Sequence, residues 1–369
     1  MVQSPHPPIL QIVPRLPPVL DGIGDYSTAV ARCLRQNWGR DTHFIVGDPT
    51  WPPTEAEFQT WPLAERSVPA LLQALEGAGP GPVILHYVSY GYARRGCPFW
   101  LVNGLEQWKR MTPNAQLVTM FHEVYAYDVG PPWTSSFWLS PLQRQLAIRL
   151  GFLSDRAMTN RQHYAQMVET LTQGHQQQIP ALPVFSTVGE PTDLAPLIDR
   201  PRRLVVFGSR ISRRRVYERG TAALAALCHQ LGIREVWDIG SSVDLNLAGL
   251  LPIPIVETGC LPIEAISPVM QQAIAGFFDY HTEYLGKSTI FAAYCAHRLI
   301  PIGLYYSPEI RDDLVSGQQY WLADRPLGDL TLEMGQAIAD RAHHWYQAHR
   351  LEEHAKVLVT LLDNRHGLC

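Results

Sequence analysis

Short apolar runs alternate with stretches of helical spacing twice in succession along this chain, and that alternation leaves few folds open. In the first half, residues 9–13 (ILQIV), 42–47 (THFIVG), 82–88 (PVILHYV), 116–121 (QLVTMF) and 156–160 (RAMTN) read as strands. Helical spacing separates them: through Tyr26, Val30, Ala31 and Leu34, then near 71–76, over 99–111, and at 141–153 and 161–171. Residues 48–69 and 131–140, rich in Pro and Trp, read as connections. The second half restarts the cycle. Its strands are 203–208, 236–240, 254–258, 276–280 and 299–305, the last closing the sheet; its helices are 219–231 and 263–275, with a helical tail over 332–362. The expected class is therefore α/β, with two Rossmann-like parallel-sheet domains. A polar, proline-flanked stretch at 173–183 places the linker in about 185–200 and gives domains 1–190 and 191–345, followed by a terminal helix over 346–369. Ligands of such sheets bind beyond the carboxyl ends of the strands, so a site is expected in the cleft between the domains.

The stretch 279–306 (DYHTEYLGKSTIFAAYCAHRLIPIGLYY) carries the densest chemistry. It reads as a loop holding Glu283, Gly286, Lys287 and Ser288, then a buried helix with small residues, then a strand. A helix N-terminus offers unpaired N–H groups and partial positive charge to an anion. Lys287 adds a full charge there, and Glu283 is placed to accept hydroxyls, so phosphate plus sugar hydroxyls point to a nucleotide sugar. Gly286-Lys287-Ser288 is not a P-loop, because His281 stands where its first glycine belongs.

Three further constellations follow strands. Gly22-Ile23-Gly24 reads as a glycine loop whose backbone approaches a phosphate or a sugar; Ser27 occupies the third glycine position of a dinucleotide fingerprint, which leaves NAD a poor fit. Arg210, Arg213, Arg214, Arg215 and Arg219 read as an arginine-rich loop, from which one or two would reach phosphate; the bland alternative is a solvated basic face. His122-Glu123 should stand at the cleft edge, with His86 a weaker candidate. His343 and His344 read as surface residues.

The bulk numbers exclude several classes. A net charge of −4 gives no global reason to expect nucleic acid or an anionic membrane. The six cysteines are widely spaced with no C-x-x-C pair, so core thiols are expected, and no metal signature appears. A polar, proline-rich opening and the lack of a spanning apolar run predict a cytoplasmic protein, with docking onto a membrane surface left open.

Together these pieces resemble the GT-B glycosyltransferases, in particular the large retaining group that includes sucrose and mannosyl-lipid synthases. The resemblance rests on LDGIGDYSTAVARCL, TMFHEVYAY, SDRAMTNRQHY, VVFGSRISRRRVYERG and YHTEYLGKSTIFAAYCAHRLIPI, in that order over most of the chain. It implies two domains facing across a cleft and a C-terminal helix crossing back to the first. It also implies transfer of a sugar from a nucleoside-diphosphate sugar to a small-molecule, glycan or lipid-linked acceptor, with retention and without metal or other cofactor. By the same resemblance Arg210, Arg215, Lys287, Ser288 and Gly24 would hold the donor diphosphate. His122, Glu283 and Asp25 would be catalytic, and Gly22, Asp25 and Glu123 would face the acceptor. The family pairs Glu283 with a second acid eight residues on, but here that position is Phe291. Two other readings stay open: a catalytically silent GT-B-like protein that binds a nucleotide or glycan, and another two-domain enzyme such as an epimerase or dehydrogenase.

Overall fold

The computed structural model describes residues 6–19, 21–52, 57–128, 130–304, 312–324 and 328–363. These form two compact units, one of residues 6–182 and 351–363, the other of 183–350. The sequence reading sets the corresponding boundaries at 190 and 345.

In the first unit β1 (Ile9–Val13) leads into α1 (Gly22–Trp38), then β2 (Thr42–Val46), β3 (Gln59–Pro62), α2 (Val68–Ala78), β4 (Val83–Tyr87) and the short α3 (Ser89–Tyr92). After these come α4 (Phe99–Met111), β5 (Leu117–Phe121), α5 (Ser135–Leu153), β6 (Arg156–Thr159) and α6 (Gln162–Leu171). All six strands are parallel, in the order β3-β2-β1-β4-β5-β6. Every residue of β1, β4 and β5 is buried, because helices cover both faces of a parallel sheet. Those strands are accordingly the ones that read as apolar runs, each broken by a single buried polar residue, Gln11, His86 or Thr119.

The second unit runs β7 (Arg203–Phe207), α7 (Arg210–Arg219), α8 (Thr221–Gln230), β8 (Glu235–Ile239), β9 (Ile255–Gly259), α9 (Ile263–Gln271) and β10 (Ala275–Phe278). A 3-10 turn (Thr282–Lys287) then precedes α10 (Thr289–Ala296), β11 (Ile300–Gly303), β12 (Trp321–Leu322) and α11 (Leu332–Gln347). Its sheet order, β12-β11-β10-β7-β8-β9, repeats the first when counted from its own first strand. Both sheets thus have the Rossmann order, which reverses between the first and fourth strands: β1 and β4 in one, β7 and β10 in the other. From Leu351 the chain returns to the first unit as α12 (Leu351–Asp363). There His354, Ala355, Leu358 and Leu362 are buried, Arg40 bonds Asp363 at 2.9 Å, and Gln116 donates to the Leu361 carbonyl at 2.9 Å.

Several expectations need correction. The glycine loop at 22–24 is the first turn of α1, and the arginine-rich loop is the helix α7, started by the Ser209 cap. β3 lies in the segment read as a connection; as an edge strand with exposed or half-buried residues and a terminal proline, it shows no apolar run. β12 lies beyond β11, so 299–305 does not close the sheet; Tyr305 itself lies outside the described residues. α5 begins at Ser135 and passes through the exposed Pro141, held by burial of Leu146, Ala147 and Leu150. The long tail is two helices, α11 and α12. No described helix is long and apolar enough to cross a membrane.

Candidate functional site

At the carboxyl end of the first sheet, α1 starts on a carboxylate. Asp21 Oδ1 accepts from the N–H groups of Ile23 and Gly24 at 2.9 and 3.0 Å, which satisfies two of the donors that a helix start leaves open. These donors are therefore spent on the cap and not left for a phosphate, contrary to the diphosphate role expected of Gly24. Gly24 is glycine for a packing reason: a Cβ there would lie 2.6 Å from the Arg15 carbonyl oxygen. Gly22 is exposed, and nothing lies within 4 Å of where its Cβ would stand. Asp25 sits one turn into the helix, half-buried; burial and the neighbouring Asp21 push its carboxyl up to about 6. Arg15 bonds Asp48 at 2.6 Å. Burial would raise the Asp48 carboxyl, but hydrogen bonds from Arg15 and Thr50 outweigh it and hold it at about 2.

His122 follows β5 directly and is almost fully buried. Its Nε2 lies 3.1 Å from His86 Nδ1, and His86 Nε2 lies 2.8 Å from Gln11 Oε1. Burial lowers His86 to about 3, so this ring stays neutral. With Gln11 Oε1 accepting from His86 Nε2–H, His86 Nδ1 is the acceptor and His122 Nε2–H donates to it. Tyr26 stands edge-on to both rings, at 5.7 Å from His86 and 5.1 Å from His122, and its hydroxyl meets His354 Nδ1 at 2.8 Å. Glu123 is half-buried, its N–H pointing at the Tyr87 carbonyl at 3.4 Å. The first unit therefore gathers His122, His86, Gln11, Tyr26 and His354 into one buried polar chain. The sequence reading singled out only the two histidines that end strands. A concavity of about 770 Å³ elsewhere in this unit, lined by Leu10, Pro82, Trp108 and Gln116, opens at the amino ends of β1, β4 and β5, the opposite end of the sheet.

In the second unit the corresponding helix start is basic. Ser209 caps α7, its Oγ accepting from Ser212 N–H at 3.2 Å. Arg210, Arg214, Arg215 and Arg219 line a concavity of about 640 Å³ with Ser209, Ile211 and Glu218. Arg210 pairs with Asp244 at 2.5 Å and Arg214 with Glu218 at 2.7 Å, while exposed Arg215 makes no hydrogen bond or ion pair among the described residues. Arg213 differs from the rest of its cluster. It is fully buried, paired with Asp238 and bonded to the Gly208 and Ser241 carbonyls, and Tyr217 donates to the other Asp238 oxygen at 2.8 Å. It braces α7 against β8 and is unavailable to a ligand.

Across the switch point, β10 ends at Phe278 and Asp279 follows, buried, with no hydrogen-bond partner for its Oδ2 among the described residues. Burial raises the Asp279 carboxyl, opposed by the charges of Arg219, Arg215 and His281. Glu283 lies 3.7 Å from His281 Nδ1 in the 3-10 turn that ends at Lys287. Ser288 is buried and caps α10, accepting from Phe291 N–H at 3.2 Å, so its oxygen already serves the helix. Phe291 is wholly buried among Phe278, Tyr320 and Trp345, with ring centroids 5.6–6.4 Å apart. The position of the second acid is thus part of the hydrophobic core. Asp279 is the carboxylate that the sequence reading missed at this end of the sheet. Among the described residues no group of three or more metal-ligating side chains gathers.

Two Rossmann-order sheets and a last helix returning to the first unit define the GT-B glycosyltransferase-like fold. No family model and no curated protein matches the sequence. Among solved structures, the chain is similar to the lipopolysaccharide outer core galactosyltransferase WaaB in its apo form, with a TM-score of 0.58 at 11% identity over 97% of this chain and 99% of that one. It is likewise similar to apo OtsA, with a TM-score of 0.58 at 10% identity over 98% and 100% of the two chains. An α-glucosyltransferase in complex with UDP-glucose and DNA containing an abasic site gives a TM-score of 0.56 at 9% identity over 96% and 98%. At these identities the likeness is one of fold.

Proposed function

We propose that this chain is a glycosyltransferase that moves a sugar from a nucleoside-diphosphate sugar to a hydroxyl acceptor. One observation carries the reading: α7 turns a set of arginines toward a concavity just after β7, and the charges of Arg215 and Arg219 reach Asp279, which follows β10 on the other side of the switch point. The solved neighbour bound to UDP-glucose supports the donor class.

Departure of a nucleoside diphosphate builds negative charge. Arg210, Arg215 and Lys287 would meet it, with the N-terminal N–H groups of α7. These cations would do the work that a divalent ion does elsewhere, and no cofactor enters the scheme. Glu283 would accept the donor sugar's hydroxyls, and Asp279 is the carboxylate left to take a nucleoside hydroxyl now that position 291 belongs to the core. In the first unit His122, Asp25, Glu123 and the exposed start of α1 at Gly22 would serve the acceptor. An Asp25 carboxyl near 6 suits hydrogen-bond exchange with a hydroxyl close to neutral pH. Retention at the anomeric carbon accompanies the family resemblance.

A thermal-shift screen over nucleoside diphosphates and their sugars tests the donor. A ligand at about 100 times its dissociation constant adds roughly 2.7 kcal/mol. Glu283→Gln should then lower turnover about a hundredfold, from loss of a charged hydrogen bond worth about 1.5–3 kcal/mol. If no nucleotide stabilises the protein, the reading fails. If nucleotides bind but neither transfer nor hydrolysis of the donor is seen, a second reading takes its place: a GT-B-like protein that binds a nucleotide or glycan without turnover. The aromatic burial of Phe291 favours that alternative.

A further inference from the structure

One helix of the first unit is apolar on both sides. The inner face of α5 joins the core through Leu146, Ala147 and Leu150. Its outer face carries Phe137, Trp138 (69% exposed), Leu142 and Phe152, and Trp133 (84% exposed) stands just before it. The segment 135–153 contains no Asp or Glu. Its two charges are Arg149, paired with Glu106, and the exposed Arg144. A neighbouring turn adds two more cations. Gln143 Nε2 donates to the Arg95 carbonyl and to the Tyr90 hydroxyl, each at 3.1 Å, which holds that turn against α5. Arg94, Arg95 and Arg144 are exposed and make no ion pair among the described residues. The aromatic tip is fixed in place: Trp138 Nε1–H donates to the Pro132 carbonyl at 2.6 Å, and the Phe137 and Trp138 rings meet edge to face at 5.4 Å.

A ridge of Trp, Phe and Leu flanked by unpaired arginines fits a surface that offers apolar depth and negative charge together. An anionic bilayer does both. Indole rings partition into the headgroup boundary, Phe and Leu reach the acyl region, and arginines pair with lipid phosphates. Rings this exposed also suit a fluid surface better than a rigid pocket. The whole chain carries a net charge of −4, so attraction to anionic lipid has to come from a local patch of this kind. We propose that α5, with Trp133 before it and Arg94, Arg95 and Arg144 beside it, is a docking face for anionic membranes. None of these side chains is among the residues assigned to sugar transfer, and the proposal does not depend on that reading.

Pelleting of the full chain with vesicles tests it, using phosphatidylcholine alone against phosphatidylcholine enriched in phosphatidylglycerol. The expected result is binding to the anionic vesicles that weakens as salt is raised. Trp133→Ser and Trp138→Ser should each lower partitioning about tenfold or more. Arg94→Ser, Arg95→Ser and Arg144→Ser should each lower it about fivefold. All five side chains are exposed, so circular dichroism should show each variant folded. No pelleting with anionic vesicles overturns the proposal, as does equal pelleting on neutral ones or an unchanged double-tryptophan variant. Self-association abolished by the tryptophan substitutions, without vesicle binding, would assign the face to a second copy of this chain and also overturn it.

Discussion

The helix after the first strand of each sheet occupies the same topological place, yet the two starts are opposite in charge. α1 opens on Asp21 and has Asp25 in its first turn; α7 opens on a serine and continues with Arg210, Arg213, Arg214 and Arg215. Both helices present the same partial positive charge. In α1 that field is already answered by the Asp21 carboxylate, which takes the N–H groups of Ile23 and Gly24. In α7 the neutral Ser209 cap leaves the field in place and the arginines reinforce it. A helix start is therefore not an anion site by geometry alone; the residue that caps it decides. Under the proposed function, the diphosphate would sit at α7 and α1 would face an uncharged ligand.

Reversing the charge of α7 should have the largest effect. Arg210→Glu with Arg215→Glu should weaken nucleoside-diphosphate binding a hundredfold or more, at about 1.5–3 kcal/mol per charged contact, as read by calorimetry. Affinity within a few-fold of wild type would break the comparison. Next comes Gly24→Ala, whose Cβ would stand 2.6 Å from the Arg15 carbonyl oxygen. It should destabilise the protein by about 2–3 kcal/mol in a denaturant titration, since backbone cannot step aside cheaply; a neutral result would return Gly24 to a ligand role.

Asp25→Asn gives a smaller, pH-dependent effect. The Asp25 carboxyl, at about 6, lies above its ordinary 3.8, so the folded protein holds this proton more tightly than the unfolded chain does. The stability it contributes is complete below about pH 4 and is lost as pH rises through about 6. The amide variant should therefore be neutral at pH 4 and stabilising at pH 8, by about 1 kcal/mol once solvent screening on its open side is allowed for. Melts at the two pH values check this, and a gain at pH 4 would contradict it. The smallest effect belongs to Gly22→Ala, which meets nothing within 4 Å. It should add about 0.5 kcal/mol through helix propensity, and a loss would show that the exposed glycine is needed for more than the helix.

Most of the two sheets was legible because a parallel strand buried on both faces is written mostly in apolar residues, as ILQIV and VILHY are apart from Gln11 and His86. β3 was hidden because an edge strand needs no such run, and α7 because its arginine run has no apolar period beyond Val216 and Tyr217. Of the residues proposed for the site, Arg210, Arg215, Glu283 and Lys287 stand out in the sequence through their position after strands. The split of the arginine cluster into members that line the concavity and the buried Arg213 brace could not be read, since it depends on Asp238 reaching in from β8. Nor could Tyr26 and His354, which meet across 328 residues of sequence. Asp21 was the signal available and unread: an Asp just ahead of a helical pattern marks a cap.

The return of α12 to the first unit also sets an order of assembly. Tyr26, Val30 and Ala31 emerge early in synthesis, but His354, Ala355 and Leu358, on the helix that packs against α1, come only after residues 183–350 have been made. At about 5–20 residues per second, that interval lasts roughly ten to thirty seconds. For that time the nascent first unit lacks α12 and the partner of its Tyr26 hydroxyl, while the second unit, uninterrupted in sequence, has all its elements in hand as soon as Arg350 is added, before α12 is made. The second unit is thus the one equipped to finish folding first, and the early half of the polypeptide is the one exposed to chaperones and proteases while it waits.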